Sequence, residues 1–594
     1  MLATLPKVVQ VISRCSRRSW NRLIANSSVQ LFLSTSWLCH YTMNKAIVRI
    51  PPDNNIVCID YDIGFKMRYL QRDKDEVVSR ALARIKLSYI KEKQSPKKKG
   101  KRNRQPPQQD SDVLQAFLLD GNGNRIDENI TNGIAWSQAK QLVVGDKQYA
   151  IEVNPPKILS LRLPDTIMAQ FPMVPILTAE FTDTIKYDWF TIAPDSNEET
   201  LVESKIVNHD STQITAFIPQ TQHVGSKLKV VCTPYNSQHT QGSDPSSVTV
   251  AAAITAGPGT CPCQMTHLYT KKRLTQPDSF RIVSYNVLAD TYSSQEHTQK
   301  VLFPYCPPYA LSIDYRKLLI TRELYGYNAD IICLQECDKD IFNQFYAPFM
   351  KGLGYDGIQD SKINNREGEA TFYHMDRFNM IDHHCQSIGN TLKNDEIFKQ
   401  ICKCPTLKYR LLNRNSIVQI VTLQPKELEN IRLVVVNTHF YFRPQASHIR
   451  VLQGYSMLKC VEKYCEKFIG NDVRVLYCGD FNSHPRTALV KLMTTGSVQS
   501  NDPVWHEGGE EEFCENISLR NDKKCVSFTG YPQFTNFVNG FVECLDYIFG
   551  QPEHFQVEQV FPSMTEEVAT AYTALPSVVS PSDHVAIGCD LRLK

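Results

Sequence analysis

The chain has 594 residues, 42% hydrophobic and 21% charged, with 65 basic and 62 acidic side chains giving a formal net charge of +3. That length exceeds what one hydrophobic core organises, so two or more domains are expected. The near-balance of charge excludes binding to nucleic acid through bulk electrostatics, and any basic binding surface has to be local.

Residues 1–42 contain no acidic side chain, whereas Lys7, Arg14, Arg17, Arg18 and Arg22 are basic and Ser is frequent. Placed on a helix, Leu5, Val9, Ile12, Trp20 and Leu23 gather on one side and Arg14, Arg18 and Arg22 on the other, with Val11 as the misfit. The stretch reads as a mitochondrial presequence, addressed to the import machinery and implying residence in the matrix. No run approaches the ~20 apolar residues of a membrane span, so membrane insertion is not expected. Most of the 19 cysteines sit singly in apolar strings, as at Cys333, Cys478 and Cys589, which suits a reducing interior. The pairs Cys261/Cys263 and Cys402/Cys404 have a one-residue gap that does not suit a zinc knuckle.

Residues 43–254 read as a β-rich domain. Short apolar and aromatic segments at 46–50, 55–63, 142–153, 158–163, 187–192, 213–218 and 227–233 are separated by turn residues. Trp189 and the Cys232 strand resemble an immunoglobulin-like domain, on one Trp and one Cys alone. Residues 96–109 hold Lys97, Lys98, Lys99, Lys101, Arg102 and Arg104 among Gly, Pro and Gln, the composition of a disordered loop. Residues 255–278, with Gly-Pro-Gly and scattered prolines, form the candidate linker.

From residue 279 to 594 the pattern changes. Apolar runs repeatedly deliver one polar group at the C-terminal end of a strand: Asn286, Glu336, His439, then Asp480 with Asn482. Cys544 to Phe549 places Asp546 within a strand, and Asp583-His584 precedes the last one. Helical spacing intervenes at 315–327 and 447–468. Strands inside and helices outside predict an α/β sandwich with a site along one rim. A single carboxylate at a strand end is most often a turn or cap. The conjunction of acids, amides and imidazoles on one rim instead suits phosphodiester cleavage, in which hard oxygen ligands hold Mg²⁺ and a base handles a water proton.

Asn286, Leu334-Gln335-Glu336, Asn437-Thr438-His439, Gly479-Asp480-Phe481-Asn482-Ser483, Leu545-Asp546-Tyr547-Ile548-Phe549 and Ser582-Asp583-His584 together resemble the exonuclease/endonuclease/phosphatase superfamily. Phe534-Thr535-Asn536-Phe537 is similar to the deadenylase branch. Tyr441-Phe442-Arg443-Pro444, His448-Ile449-Arg450 and Thr573 to Ser577, with the β-rich half and the leader, resemble its mitochondrial 2′-phosphodiesterases. The resemblance implies a four-layer α/β/β/α sandwich, preceded by the β-rich domain. It also implies a Mg²⁺-dependent 3′-to-5′ exoribonuclease, with Mn²⁺ as a substitute, acting as a monomer. The implied substrates are 2′,5′-linked oligoadenylates and the adenylate-rich 3′ ends of mitochondrial RNA, with release of 5′-AMP.

Carried over residue by residue, the resemblance assigns Glu336, Asp480, Asn482 and Asp583 to the metal. Asp480, His584, Asp546, His439 and Asn286 take catalytic roles, and Pro444, Phe541, Asn482 and Arg450 contact substrate. The alternatives are an abasic-site endonuclease, a nucleotide or phosphoinositide phosphatase, and a non-catalytic RNA-binding protein.

Overall fold

The computed structural model describes residues 44–63, 66–94, 114–209, 211–513 and 515–594. The leader and the basic loop of the preceding section lie outside these residues. The chain divides into two compact units, Met1–Asn154 and Pro155–Lys594. The stretch 43–254, read from sequence as one β-rich domain, is therefore split between them.

In the first unit a six-stranded sheet has the order Met67–Asp73, Ile56–Asp62, Asn44–Arg49, Lys147–Val153, Gln141–Val144, Ala116–Leu119. Asn44–Arg49 and Lys147–Val153 run parallel and the other pairs antiparallel. The segment expected as one strand at 142–153 is a hairpin turning at Gly145. Helix Val78–Gln94 was not expected, yet Val78, Ala81, Leu82, Ile85 and Tyr89 recur at helical spacing and are buried in this core with Trp136.

The second unit opens with the antiparallel sheet Glu199–Asn208, Thr184–Ile192, Lys227–Tyr235, Ser246–Ala253, and with the hairpin Lys157–Arg162 and Ile176–Glu180. Trp189 is its fully buried centre, stacked on Phe217 at 4.9 Å and 20°. Residues 213–218, expected as a strand, contribute only the isolated bridge Met173–Phe217. Met168, Phe171 and Val174 share a core with Leu318, Phe349 and Met350 of the following α/β part. The Thr215 N–H donates to the Gly352 carbonyl at 2.9 Å. Residues 255–278, read as a linker, carry helix Cys263–Tyr269 and bury Cys261 and Cys263 in that same core.

The remainder is the expected α/β/β/α sandwich. One six-stranded sheet has the order Tyr355–Ser361, Glu367–His374, Ile331–Asp338, Ser279–Asn286, Ile587–Leu593, Phe555–Val560. The other has Phe378–Ser387, Ile417–Pro425, Ile431–His439, Asp472–Asp480, Asp546–Gly550, Val526–Ser527. Ile282, Ile331 and Cys333 of the first meet Leu433, Val435, Leu476, Cys478 and Ile548 of the second in an apolar layer. Helices Ile313–Tyr327 and Ser447–Cys465 cover opposite outer faces, in separate clusters. Each sheet is thus buried on both sides, which is why its strands read as unbroken apolar runs. Among the described residues no helix is long and apolar enough to cross a membrane.

Candidate active site

Strand register builds the site. His439 pairs with Asp480 across parallel strands, and Asp480 pairs with Asp546 across antiparallel ones, so the three stand in one row. The strand ending at Asp480 passes so close to its neighbour that a Cβ on Gly479 (φ 145°) would lie 1.9 Å from the Thr438 carbonyl oxygen. Only glycine fits there. On the facing sheet, Asn286 ends its strand beside Gln335. Glu336 occupies a β-bulge between Leu334 and Cys337 with φ at 56°, and the bulge re-aims its carboxylate.

Asn286 joins the sheets: its Nδ2 donates to Glu336 Oε1 at 3.0 Å and to Asp480 Oδ2 at 3.1 Å. The Ala289 N–H donates to Glu336 Oε2 at 2.9 Å. Ser582 Oγ donates to the Asn286 carbonyl at 2.7 Å and accepts from the His584 N–H at 3.1 Å, fastening the C-terminal motif against the first strand. His584 Nδ1 lies 2.8 Å from Asp546 Oδ2, and its Nε2 lies 3.6 Å from Asp480 Oδ2. Thr535 Oγ1 accepts from the N–H groups of Leu545 and Asp546, which fixes the start of that strand.

Electrostatics sorts these groups. Burial pushes the Asp480 carboxyl up to about 7, with the Asp546 charge adding to the effect. Glu336 is raised by burial and by Asp583 and Glu367. Burial pulls His584 down, but Asp546 and then Asp480 outweigh it and hold the imidazole well above its ordinary value, as a cation. His439 goes the other way, held well below by burial, Lys362 and His584. The site thus pairs one charged imidazole with one neutral one.

Asn482 adopts φ 47° and donates Nδ2 to the Phe440 carbonyl at 3.0 Å, which leaves its side-chain oxygen outside that bond. Asp583 accepts from Asn536 Nδ2 at 3.2 Å. Phe541 and Pro444 are exposed at the rim. Arg450 is different from the expectation of a substrate contact. It is buried, and its guanidinium donates to the carbonyls of Tyr441 (3.2 Å), Arg443 (2.5 Å) and Pro444 (3.2 Å), so it holds the rim loop from behind. Sequence reasoning missed Lys362, whose buried ammonium lies 3.1 Å from His439 Nδ1 and 3.1 Å from Glu367. It sits in a short connection with no apolar run to announce it.

A model of the endonuclease/exonuclease/phosphatase family matches residues 283–584, and one of the 2′,5′-phosphodiesterase 12-like N-terminal domain matches residues 155–252. The chain is 36% identical over 586 residues to "2′,5′-phosphodiesterase 12" of Rattus norvegicus, covering 93% of this chain and 95% of that one. The chain belongs to the endonuclease/exonuclease/phosphatase family. The human "2′,5′-phosphodiesterase 12" is 35% identical over 592 residues, covering 93% of this chain and 94% of that one. The "CCR4-Not complex 3′-5′-exoribonuclease subunit Ccr4" of Candida albicans is 29% identical over 338 residues, 53% of this chain and 41% of that one. As a member of this family the chain is a hydrolytic phosphodiesterase of the nuclease type.

Its donor set fits a divalent cation. Glu336, Asp480 and the Asn482 amide offer hard oxygens, and the Asn286 amide bridges Glu336 and Asp480 across the two sheets. One ligand atom from each of Asp480, Asp546 and His584 also lies within 4.8 Å of the other two. In that trio His584 engages only Asp546 Oδ2, and the buried Asp546 Oδ1 has no partner, so Asp546 can offer an oxygen beside those of Glu336, Asp480 and Asn482.

Proposed function

We propose that the chain is a Mg²⁺-dependent 3′-to-5′ exoribonuclease that degrades 2′,5′-linked oligoadenylates and removes 3′ poly(A) from mitochondrial RNA, releasing 5′-AMP. The observation that carries it is the row His439, Asp480, Asp546 with His584 and Asn286 over it, in a chain 36% identical to a named 2′,5′-phosphodiesterase across 93% of its length. When bound, the cation lowers the charge on the phosphoryl oxygens and the pKa of a coordinated water.

The chain's own groups do the rest. Asp480 is positioned to take the proton of the attacking water. His584, held charged by Asp546, offers Nε2–H to a phosphoryl oxygen, and the Asn286 amide holds Glu336 and Asp480 in place. His439, kept neutral and fixed by Lys362, donates from its other nitrogen toward the phosphate. Pro444 and Phe541, both exposed at the rim, receive an adenine between them. The arginine-bearing, acid-free leader supports matrix residence.

The test is time-resolved product analysis on matched 2′,5′ and 3′,5′ tri-adenylates with Mg²⁺, Mn²⁺ or EDTA, with Asp480→Ala as control. Stepwise 5′-AMP release from both linkages, lost with EDTA and in the variant, supports the reading. Intact oligoadenylate alongside cleaved abasic duplex DNA or inositol phosphate would overturn it. Residues 1–42 fused to a reporter test the compartment, and a cytosolic reporter would remove the mitochondrial part.

A further inference from the structure

We propose that Phe442 is a second base platform, taking the nucleotide next to the one being removed, with Arg443 meeting a backbone phosphate beside it. This rests on reading the chain as an oligoadenylate exonuclease. Phe442 leaves 69% of its surface exposed, a large apolar ring in water on the very loop that carries Pro444. It lies three positions beyond His439, so its backbone is within ~11 Å of the catalytic row. That is the reach of the residue adjoining a scissile phosphate.

The ring is presented, not merely left over. Arg450 and Gln453 secure the backbone beneath it, the former through the carbonyls of Tyr441, Arg443 and Pro444 and the latter by accepting the Tyr441 N–H at 3.0 Å. Tyr441 meets the Phe442 ring edge-on, at 5.6 Å and 65°, leaving a face open. A rigid loop holding an exposed ring has little left to order when a base stacks on it.

The loop's own charges suit a polyanion, with the Glu507 carboxylate docked at its far end on the Ser447 N–H at 3.1 Å. Residues 439–450 include no acidic side chain. Arg443 is exposed and has no carboxylate partner among the described residues, and the Arg414 guanidinium lies 4.4 Å over the Tyr441 ring. An exposed aromatic beside an exposed guanidinium, as Phe442 stands beside Arg443, is the composition of a single-strand binding surface. Stacking tolerates any base, so this platform adds grip along the strand, while choice of adenine is left to the Pro444 and Phe541 side.

Steady-state kinetics on 2′,5′-linked adenylate dimer, trimer and tetramer, and on a dimer whose retained nucleotide lacks its base, test the proposal, with wild type, Phe442→Ala, Phe442→Trp and Arg443→Gln. In Phe442→Ala, KM should rise about tenfold at constant kcat for dimer, trimer and tetramer, all of which carry the neighbouring base, with little change for the base-less dimer, and Phe442→Trp should restore it. Arg443→Gln should raise KM for the longer substrates and flatten its salt dependence. An equal KM rise with and without the neighbouring base, or none, would overturn the platform while leaving the exonuclease reading intact. Absence of wild-type turnover at all three lengths would instead remove the reading beneath it.

Discussion

Asp546 and Asp480 face each other across two antiparallel strands, and the His584 imidazole is held between them, 2.8 Å from the first and 3.6 Å from the second. Two carboxylates this near would repel each other in water-poor surroundings, and the shared cation lets both persist. Asp546 works through the ring, fixing its orientation and charge rather than touching the phosphate.

Asp546→Asn therefore leaves the fold standing but lowers kcat by about 10- to 100-fold with a small change in KM. NMR of the ring nitrogens should show the His584 pKa falling in the variant. An unchanged His584 titration would contradict the role given to Asp546.

Metal removal has a readout that does not depend on turnover. Mg²⁺ added to EDTA-stripped protein should raise Tm, since an ion bound only by the folded state stabilises by mass action. Glu336→Gln should lose most of that rise while keeping a near-normal Tm without metal. Calorimetric titration of Mg²⁺ gives the same comparison directly.

Glu323 supplies a pH dependence outside the reacting groups. Burial pushes its carboxyl up to about 8, against the lowering effect of the Tyr327 hydroxyl 2.8 Å away. A folded-state pKa above the unfolded one means stability that is full below the ordinary carboxyl value and is lost as pH climbs toward about 8. Wild-type Tm should thus decline between about pH 5 and 8, and Glu323→Gln, a neutral isostere, should flatten the decline. Parallel pH-Tm curves for the two proteins would contradict this assignment.

Arg450→Ala removes donors from three loop carbonyls and opens a cavity, at a cost of about 2–4 kcal/mol in chemical denaturation. KM for oligoadenylate should rise with it, because the rim loop is no longer held. Arg450→Lys should recover stability only partly, since an ammonium cannot span the same carbonyls.

Much of the site was legible because each strand is sheathed on both faces. An Asn286, His439 or Asp480 at the end of an uninterrupted apolar run has nowhere to be except a rim, and the strand register places it there. Glu336 was legible as a residue but not as a geometry, because its bulge arises from pairing with Glu367–His374, far along the chain. The loop-holding contacts of Arg450 gave no sign, since sequence does not reveal which way a helix turns a guanidinium. Lys362 gave no pattern at all. In the N-terminal half, helix Val78–Gln94 was passed over because its many charged residues mask a narrow buried stripe.

The Ser582 hydroxyl reaches the Asn286 carbonyl across 296 positions of chain. So long a loop closure carries an entropy cost that slows folding. A centre joined this way is complete only when both ends of the catalytic domain are present: Asn286, Glu336 and Asp480 enter the chain well before Ser582 and His584.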